Sequence, residues 1–427
     1  MSSGSLSSLR EANLLRVIDT LRESGTASRA DIVRATGLSR TTVSTLVAEL
    51  QERRLVVEFE GESTAGARGA SGGRPPILLA LDQLAGTALG VDFGHRHLRV
   101  ALADLSSRVL AERRRELDVH RSALEALDLA AEVISELLAE TGSPRDRIVA
   151  CGLGLPGPVD VTGRVGSSVI LPGWAGLHAA DELGNRIGLP VQVDNDANLG
   201  ALGEVAFGAG RGAEDVMYVK VSSGLGAGIV LGGRLHRGAT GIAGEIGHIQ
   251  ADRSERVCRC GNRGCLETVA AAPALLELLR PIHGDGLTTA RLVALAREGD
   301  LATCRLLKDA GRAVGQTLAG LCNALNPELI VVGGDLAATG DALLDGIRES
   351  VNRFALPGAA DAVRVTAGVL GDRAEVLGSL ALVIGNSDGL AAGSRTVPGV
   401  PDPAGISAST TINRTNPAFA RGGGGFS

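Results

Sequence analysis

Three cysteines and one histidine lie close together in the chain, and this cluster constrains the fold more than any other feature of the sequence. Cys258, Cys260 and Cys265 are half of the six cysteines, and His248 precedes them by ten residues. Thiolate and neutral imidazole are ligands that zinc prefers, and four of them close a tetrahedral structural site. The glycines between Cys260 and Cys265 permit the turn that brings the sulfurs together. The sequence therefore predicts a structural zinc site at these four residues.

Two other interpretations of the cluster are a nucleic-acid-binding zinc finger and a set of unliganded surface thiols. The spacing differs from the two-plus-two pattern of such a finger. Unliganded surface thiols would be exposed to oxidation. The remaining cysteines, Cys151, Cys304 and Cys322, stand singly among apolar neighbours, which indicates free buried thiols in a reducing compartment.

The first residues lack a basic segment followed by an apolar one, and no apolar run approaches the ~18 residues that span a membrane. We expect a cytoplasmic protein without a membrane segment.

The composition divides the 427 residues into four segments. Residues 1–80 are predicted to form a DNA-binding domain, within which the Gly/Ser/Pro-rich residues 60–76 form a wing or linker. Residues 81–385 alternate short β-branched runs, glycine turns and amphipathic stretches, a pattern typical of an α/β fold. Residues 386–427 lack periodicity and are predicted to be a disordered tail. The net charge is −6, so any contact with DNA must come from a local patch.

Several elements are predicted within these segments. Residues 89–93 and 100–104 should pair as a hairpin, and residues 148–155, 191–193, 216–221 and 329–332 should be strands. A helix is expected from Ala123 to Glu140, with its buried face at positions 124, 127, 131, 134 and 138.

The amino-terminal segment has the layout of a winged helix-turn-helix. One helix face carries Leu14, Leu15, Ile18 and Leu21. Ser28 with Asp31 resembles a capping box at the start of a second helix, and Gly37 ends that helix. A third helix follows from Ser39, with Val43, Leu46, Val47 and Leu50 on its buried side. Residues 55–59 and 77–81 would form the wing.

The exposed start of the third helix suits DNA. Its candidate contacts are small hydroxyl side chains and one arginine, with no acid before Glu49: Ser39, Arg40, Thr41, Thr42 and Ser44. On the wing, Arg68 and Arg74 could enter a minor groove. The alternatives are an adaptor of three amphipathic helices for the domain and a plain linker for the wing tip.

Polar side chains around the cysteine cluster suit a polyhydroxylated ligand. Glu245 and Glu267 flank the cluster, and Asn195 and Asp196 directly follow a predicted buried strand, where ligand groups collect in α/β proteins. Carboxylates and an amide can satisfy hydroxyls that both donate and accept. Each acid taken alone could be a solvated surface group, whereas their shared placement favours a binding site.

The motifs resemble those of the ROK family of repressors, open reading frames and sugar kinases. They are Gly244-Glu245-Ile-Gly-His248 followed by Cys258-Arg-Cys260-Gly-Asn-Arg-Gly-Cys265-Leu-Glu267, together with Leu153-Gly-Leu-Pro156-Gly157-Pro158-Val-Asp and Leu171-Pro-Gly-Trp174. The resemblance covers residues 77–385 and implies a two-lobed actin-like (ribonuclease H-like) ATPase/sugar-kinase fold after the winged helix-turn-helix.

The resemblance also implies roles for residues. Asn195, Asp196, Glu245, His248 and Glu267 would bind a sugar. His248, Cys258, Cys260 and Cys265 would bind structural Zn²⁺, so that His248 would use one ring nitrogen for the metal and the other for the sugar. In a kinase of the family, Asp196 would be the general base.

The nucleotide loops match the family unevenly. The loop glycines expected from the resemblance are Gly94, Gly224, Gly226, Gly228, Gly333 and Gly334. The first loop reads Asp92-Phe-Gly94-His95-Arg96-His97, where family kinases have Asp-(Ile/Phe)-Gly-Gly-Thr. A histidine replaces a glycine where backbone must approach phosphate, although Arg96 could still bind an anion. The sequence therefore weighs against ATP and Mg²⁺ as cofactors and against catalysis.

The leading hypothesis is a sugar-responsive transcriptional regulator, a repressor of carbohydrate metabolism. It would bind operator DNA as a homodimer or homotetramer and sense a sugar or sugar phosphate in the kinase-like domain. The alternatives are an ATP-dependent hexose or N-acetylhexosamine kinase, and a sugar-binding scaffold without either activity.

Overall fold

The structure, a computed structural model, describes residues 13–391 except for positions 15, 23, 53–54, 61–76, 83–85, 106, 167–169 and 252–255. The predicted wing residues Arg68 and Arg74 and the tail beyond 391 lie outside the described residues. Among the described residues, no helix is long and apolar enough to cross a membrane.

The first helices form the predicted helix-turn-helix. Helix α1 is helical at residues 13–14, 16–22 and 24, α2 spans Arg29–Thr36 and α3 spans Arg40–Glu52. The capping box is present, because the Ser28 side chain accepts a hydrogen bond from the Asp31 amide and the Asp31 carboxylate accepts one from the Ser28 amide. Gly37 ends α2 with a φ of 69°, a left-handed conformation that favours glycine.

These helices bury the faces that the sequence predicts. Leu14, Ile18 and Leu21 are buried, and Val17, which the sequence analysis did not include, is buried with them; Leu15 is outside the described residues. The predicted buried residues of α3 are confirmed: Val43, Leu46, Val47 and Leu50.

A three-stranded sheet completes this domain. Strands β2 (Val56–Glu60) and β3 (Ile77–Leu81) pair antiparallel as the predicted wing. A third strand, β1 (Ala27–Ser28), pairs with β3 on its other side. The sequence analysis missed β1 because two residues are too few to show an alternation.

The first lobe is a five-stranded mixed sheet with the order β6-β5-β4-β7-β8. Its strands are β4 (Thr87–Gly94), β5 (His97–Asp104), β6 (Val109–Glu116), β7 (Ile148–Leu155) and β8 (Val191–Asn195). The predicted β4–β5 hairpin is confirmed, and β7 and β8 continue the sheet in parallel. Helices α4 (Ala123–Thr141) and α5 (Ala179–Ile187) cover one face. The predicted face of α4 is wrong at Leu124, which is 48% exposed.

The second lobe repeats this strand order as β11-β10-β9-β12-β13. Its strands are β9 (Val216–Val221), β10 (Leu225–Leu231), β11 (Arg234–Leu235), β12 (Leu329–Gly333) and β13 (Arg364–Ala367). Its helices are α7 (Glu267–Ala270), α8 (Ala272–His283), α9 (Thr289–Arg297), α10 (Leu301–Leu325), α11 (Asp341–Phe354) and α12 (Pro357–Ala362). Two sheets with one strand order are what the predicted actin-like architecture requires.

Two helices cross between the sheets. Helix α6 (Asp196–Phe207) packs on β9 and β10 of the second lobe, and α13 (Ala374–Ala391) packs on β4 and β7 of the first. Glycines let their backbones approach, because a Cβ at Gly203 would overlap the Ala374 carbonyl and one at Gly378 would overlap that of Leu199. Helix α13 continues past the predicted boundary at 386, so the tail cannot begin there.

Candidate functional site

The start of α3 presents the predicted DNA contacts to solvent. Ser39, Arg40, Thr41 and Ser44 are exposed, and Thr42 is half-buried. The Ser39 hydroxyl caps the helix by accepting from the Thr42 amide at 3.1 Å. The first turn contains no acid, and among the described residues the Arg40 guanidinium has no partner. This helix start offers phosphate and base-edge donors without a competing carboxylate.

The predicted metal ligands converge in space. Donor atoms of His248, Cys258, Cys260 and Cys265 all lie within 4.8 Å of one another. The Cys260 and Cys265 sulfurs are 3.7 Å apart, and His248 Nδ1 is 3.6 Å from the Cys258 sulfur. A tetrahedron with Zn–S bonds of about 2.3 Å has sulfurs roughly 3.8 Å apart, so these separations fit zinc.

Short turns bring the ligands together. His248 ends a 3₁₀ turn, Ile246–His248, and a bridge between Gln250 and Cys265 holds that turn beside the cysteine loop. Within the loop, the Cys258 amide donates to the Asn262 carbonyl at 2.7 Å. Gly261 adopts a φ of 93°, which other residues rarely adopt, so this glycine is required for the turn.

Two of the predicted sugar-binding acids flank the imidazole of His248. Its Nε2 lies 3.7 Å from Glu245 Oε2, and its Nδ1 lies 3.7 Å from Glu267 Oε1. Burial, followed by the charges of Asp196 and Glu267, raises the pKa of Glu245 to about 7. Burial alone would raise the pKa of Glu267, but hydrogen bonds from Arg259 and Cys258 hold this pKa below its usual range. The two nitrogens of one imidazole thus face the cysteines and Glu245, respectively.

Asn195 and Asp196 stand where β8 meets α6. The Asn195 side chain caps α6 by accepting from the amides of Ala197 and Asn198, and its Nδ2 donates to the Gly157 carbonyl at 2.9 Å. Asn195 therefore has a structural role whatever it binds. The charge of Asp196 reaches both Glu245 and His95.

The basic partner of Asp196 was not predicted from the sequence. Lys220 Nζ lies 2.9 Å from Asp196 Oδ2 and 2.7 Å from Glu375 Oε1. Although burial opposes it, the charges of Asp196, Glu375 and Asp92 raise the pKa of Lys220 well above its ordinary value. A lone lysine within a strand gives no sequence signal, because its partners come from distant elements.

The first nucleotide loop is covered by a histidine. His97 Nε2 lies 3.0 Å from Asp92 Oδ2, and the imidazole packs over Gly94, where a Cβ would overlap the ring. His95 stacks on His120 at a centroid distance of 5.0 Å. Burial lowers the pKa of His95 to about 4, so its imidazole is neutral at neutral pH.

The other predicted loop glycines are mostly packed against protein. Gly226 and Gly228 of β10 lie against Ala197 at the start of α6, and Gly333 lies against the Tyr218 ring. Gly334 has a φ of 80°. Gly224 differs from these, because a Cβ there would lie 3.0 Å from Nη2 of Arg259.

Arg259 links the cysteine loop to the cleft. Its guanidinium donates to both carboxylate oxygens of Glu267, at 3.3 and 3.2 Å. It lines a cleft of about 870 Å³ together with His95 and Ser223. The position of Arg259 between Cys258 and Cys260 was a usable signal, because a residue between two metal ligands must lie beside their site.

Family profiles match both parts of the chain. The ROK family profile matches residues 88–386, and the MarR family profile matches residues 8–68. The chain belongs to the ROK family. Its ROK domain follows an amino-terminal winged-helix DNA-binding domain of the MarR type, so the predicted winged helix-turn-helix is confirmed.

Individual relatives include regulators and kinases. The chain is 30% identical over 391 residues to the xylose repressor of Caldicellulosiruptor bescii, covering 88% of this chain and 96% of the repressor. A solved ROK family transcriptional regulator, a homologue of the Escherichia coli MLC protein, covers 90% of this chain and 98% of its own with a TM-score of 0.74 and 27% identity. A ROK glucokinase from Streptomyces griseus, solved with glucose and AMPPNP, covers 70% of this chain and 99% of its own with a TM-score of 0.61 and 31% identity.

Proposed function

We propose that the protein is a sugar-responsive transcriptional repressor of carbohydrate metabolism. The observation that carries this proposal is the combination of an exposed recognition-helix start, whose first turn contains no acid, with a kinase-like domain in which two carboxylates of the predicted cleft are already paired. Asp92 is paired with His97, and Asp196 with Lys220. The similarity to regulators along nearly the whole chain supports it.

The winged helix would bind operator DNA through the start of α3. Donors on Ser39, Arg40, Thr41, Thr42 and Ser44 would meet phosphates and base edges. We propose a homodimer or homotetramer, because paired half-sites on DNA require paired domains. Mobility-shift assays with DNA from upstream of the protein's own coding region should show binding that weakens as salt rises. Binding that is absent at every salt concentration would overturn the proposal.

The sensor would bind its ligand through the acids around His248. Carboxylates of Asp196, Glu245 and Glu267 can each accept from sugar hydroxyls, and His248 Nε2 is on the same side as Glu245. Asn195 would contribute its remaining amide hydrogen. A ligand that binds one lobe arrangement better than another would shift the equilibrium between them and thereby alter DNA binding.

Zinc would hold this sensor site in shape. His248, Cys258, Cys260 and Cys265 would be its ligands, and the donor separations support that assignment. Bound zinc would supply structural cross-linking of the loop. With its Nδ1 on the metal, the imidazole of His248 would keep its tautomer and orientation toward the sugar.

One observation favours a sugar kinase as the second candidate. Asp92 Oδ1 is buried without a hydrogen-bond partner among the described residues, and Mg²⁺ with ATP could satisfy it. A coupled ADP assay with hexoses and N-acetylhexosamines distinguishes the two functions. The regulator predicts no turnover above background, whereas robust turnover that disappears in Asp196→Asn would establish the kinase.

A further inference from the structure

The cleft beside the sugar-site acids contains arginines without protein partners. Arg96, Arg114 and Arg259 line the same cleft of about 870 Å³. Among the described residues, the guanidinium groups of Arg96 and Arg114 form no ion pair or hydrogen bond. The neighbours of Arg114 on β6 differ from it, because Arg113 and Arg115 both pair with glutamates of α4. Free guanidinium groups on one wall are available to a ligand.

Two acids also line the cleft, and neither forms an ion pair with these arginines. They are Glu116 and Asp118, and neither pairs with an arginine within the described part of the chain. The Asp118 carboxylate accepts a hydrogen bond from the His120 amide at 3.1 Å. A planar guanidinium offers parallel donors that match the oxygens of phosphate. The guanidinium groups that line the cleft therefore offer donors to an oxyanion.

Arg259 brings this wall to the sugar site. Its guanidinium binds Glu267, a proposed sugar ligand, and its Nη2 would lie 3.0 Å from a Cβ on Gly224, one of the predicted nucleotide-loop glycines. An anion bound by Arg259 would therefore lie close to Glu267, the carboxylate proposed to accept hydrogen bonds from sugar hydroxyls. A single small ligand could then carry both groups.

We infer that the cleft binds the phosphoryl group of a monophosphorylated sugar, held by Arg96, Arg114 and Arg259. The inference rests on the proposed sensor function and selects among its ligands. A nucleotide fits less well, because it needs the open backbone of the first loop, where the His97 ring covers Gly94. A phosphate monoester needs only the guanidinium side chains of Arg96, Arg114 and Arg259 that line the cleft.

The test compares each sugar with its own phosphate ester by calorimetry on the full chain. The probes are glucose and glucose 6-phosphate, xylose and xylose 5-phosphate, and N-acetylglucosamine and its 6-phosphate. In at least one pair the ester should bind about tenfold more tightly or better, because charge-assisted hydrogen bonds replace water on the arginines. That preference should decrease as salt rises.

Two double variants assign the preference to the cleft. Arg96→Gln with Arg114→Gln should bring the affinity ratio within the pair close to one. Arg113→Gln with Arg115→Gln removes the same charge from β6, at two positions that do not line the cleft, and should keep the wild-type ratio. Circular dichroism on both variants checks that each is folded.

The outcomes separate this inference from the function on which it rests. If a free sugar binds and changes DNA affinity but no ester binds more tightly, the sensor stands and the inference is overturned. A preference that survives in the Arg96/Arg114 variant also overturns it. If no sugar and no ester binds, both the sensor function and the inference fail.

Discussion

Single residues decide which side chains remain available to a ligand, because three of the carboxylates described above are already engaged. Asp196 is held by Lys220, Asp92 by His97 and Glu267 by Arg259. None of these pairs joins residues that share a helix, and two of the three basic partners were missed in the sequence. The sequence showed the acids through their motifs, whereas only the fold shows which basic residue meets which acid.

The cysteine loop should lose its metal when one sulfur is removed. Cys260→Ser should reduce zinc affinity by more than ~100-fold, since even outer-shell partners contribute 10–100-fold. Sugar binding should weaken with it, while DNA binding by the winged helix persists. Metal analysis of purified protein measures the first effect. Cys304→Ser, outside the loop, is the matched control and should keep full zinc; equal zinc in both variants would contradict the assignment.

His95 should make the protein less stable in mild acid. Burial lowers the pKa of His95 to about 4, while Asp196 opposes this and His120, Lys220 and Arg259 reinforce it. The unfolded chain, with an ordinary pKa of ~6.5, binds a proton that the native chain does not, so stability falls as pH drops from about 6.5 to 4. Between pH 7.5 and 5 this amounts to at most ~2 kcal/mol.

Urea unfolding of wild type and His95→Gln at both pH values isolates that contribution, because the other titrating groups are shared. The wild type should lose more stability than the variant. Parallel losses in the two proteins would show that His95 is charged in the native state.

Elements were predictable wherever a local pattern determines them. The α2 capping box, the wing strands and the β4–β5 hairpin follow from spacing within a few residues. Strand order, the crossing of α6 and α13 and the extension of α13 to Ala391 depend on contacts between distant segments. Leu124 fits helical spacing but lies beyond the surface that the sheet covers.

The recognition helix should depend on its one arginine. Arg40→Ala should weaken DNA binding by about tenfold at low salt and reduce the slope of log affinity against log salt by about one, as expected for a lost phosphate contact. Mobility shifts at several salt concentrations measure both quantities. Arg291→Ala, on α9 of the second lobe, removes an equal charge and should change neither; a similar loss there would point to overall charge instead.

The crossing of α6 and α13 should tolerate no side chain at its closest point. Gly378→Ala would place a Cβ on the Leu199 carbonyl, and we expect a loss of about 1–3 kcal/mol in the free energy of unfolding. Gly385→Ala lies on the same helix with open space around it and should be neutral or stabilising by up to ~1 kcal/mol. Denaturant unfolding compares the two; equal effects would contradict close packing at Gly378.

At the scale of the whole molecule, the winged helix rests directly on the first lobe. Arg22 Nε donates to the Leu105 carbonyl at 3.2 Å, and Leu55 packs against the apolar cluster between β4 and α13. A change in that lobe therefore has a physical route to the DNA-binding helices.

Loss of the contact between Arg22 and Leu105 should uncouple sugar binding from DNA binding. In the wild type the effector should change the DNA dissociation constant by about 5- to 150-fold, and DNA should change the effector's constant by the same factor. Arg22→Ala should at least halve that factor while leaving DNA binding without effector close to wild type. Asp19→Ala removes the neighbouring ion pair but keeps the Leu105 contact, and should retain full coupling. Full coupling in Arg22→Ala would exclude this contact as the route.

The first lobe is built from two segments that lie far apart in the chain, because α13 packs on a sheet whose first strand in sequence is β4. During synthesis on the ribosome, the winged helix emerges and can fold long before α13 leaves the exit tunnel. In the sequence, the second lobe lies wholly between the winged helix and α13. A newly made molecule therefore acquires its DNA-binding domain before the first lobe of its ROK domain is complete.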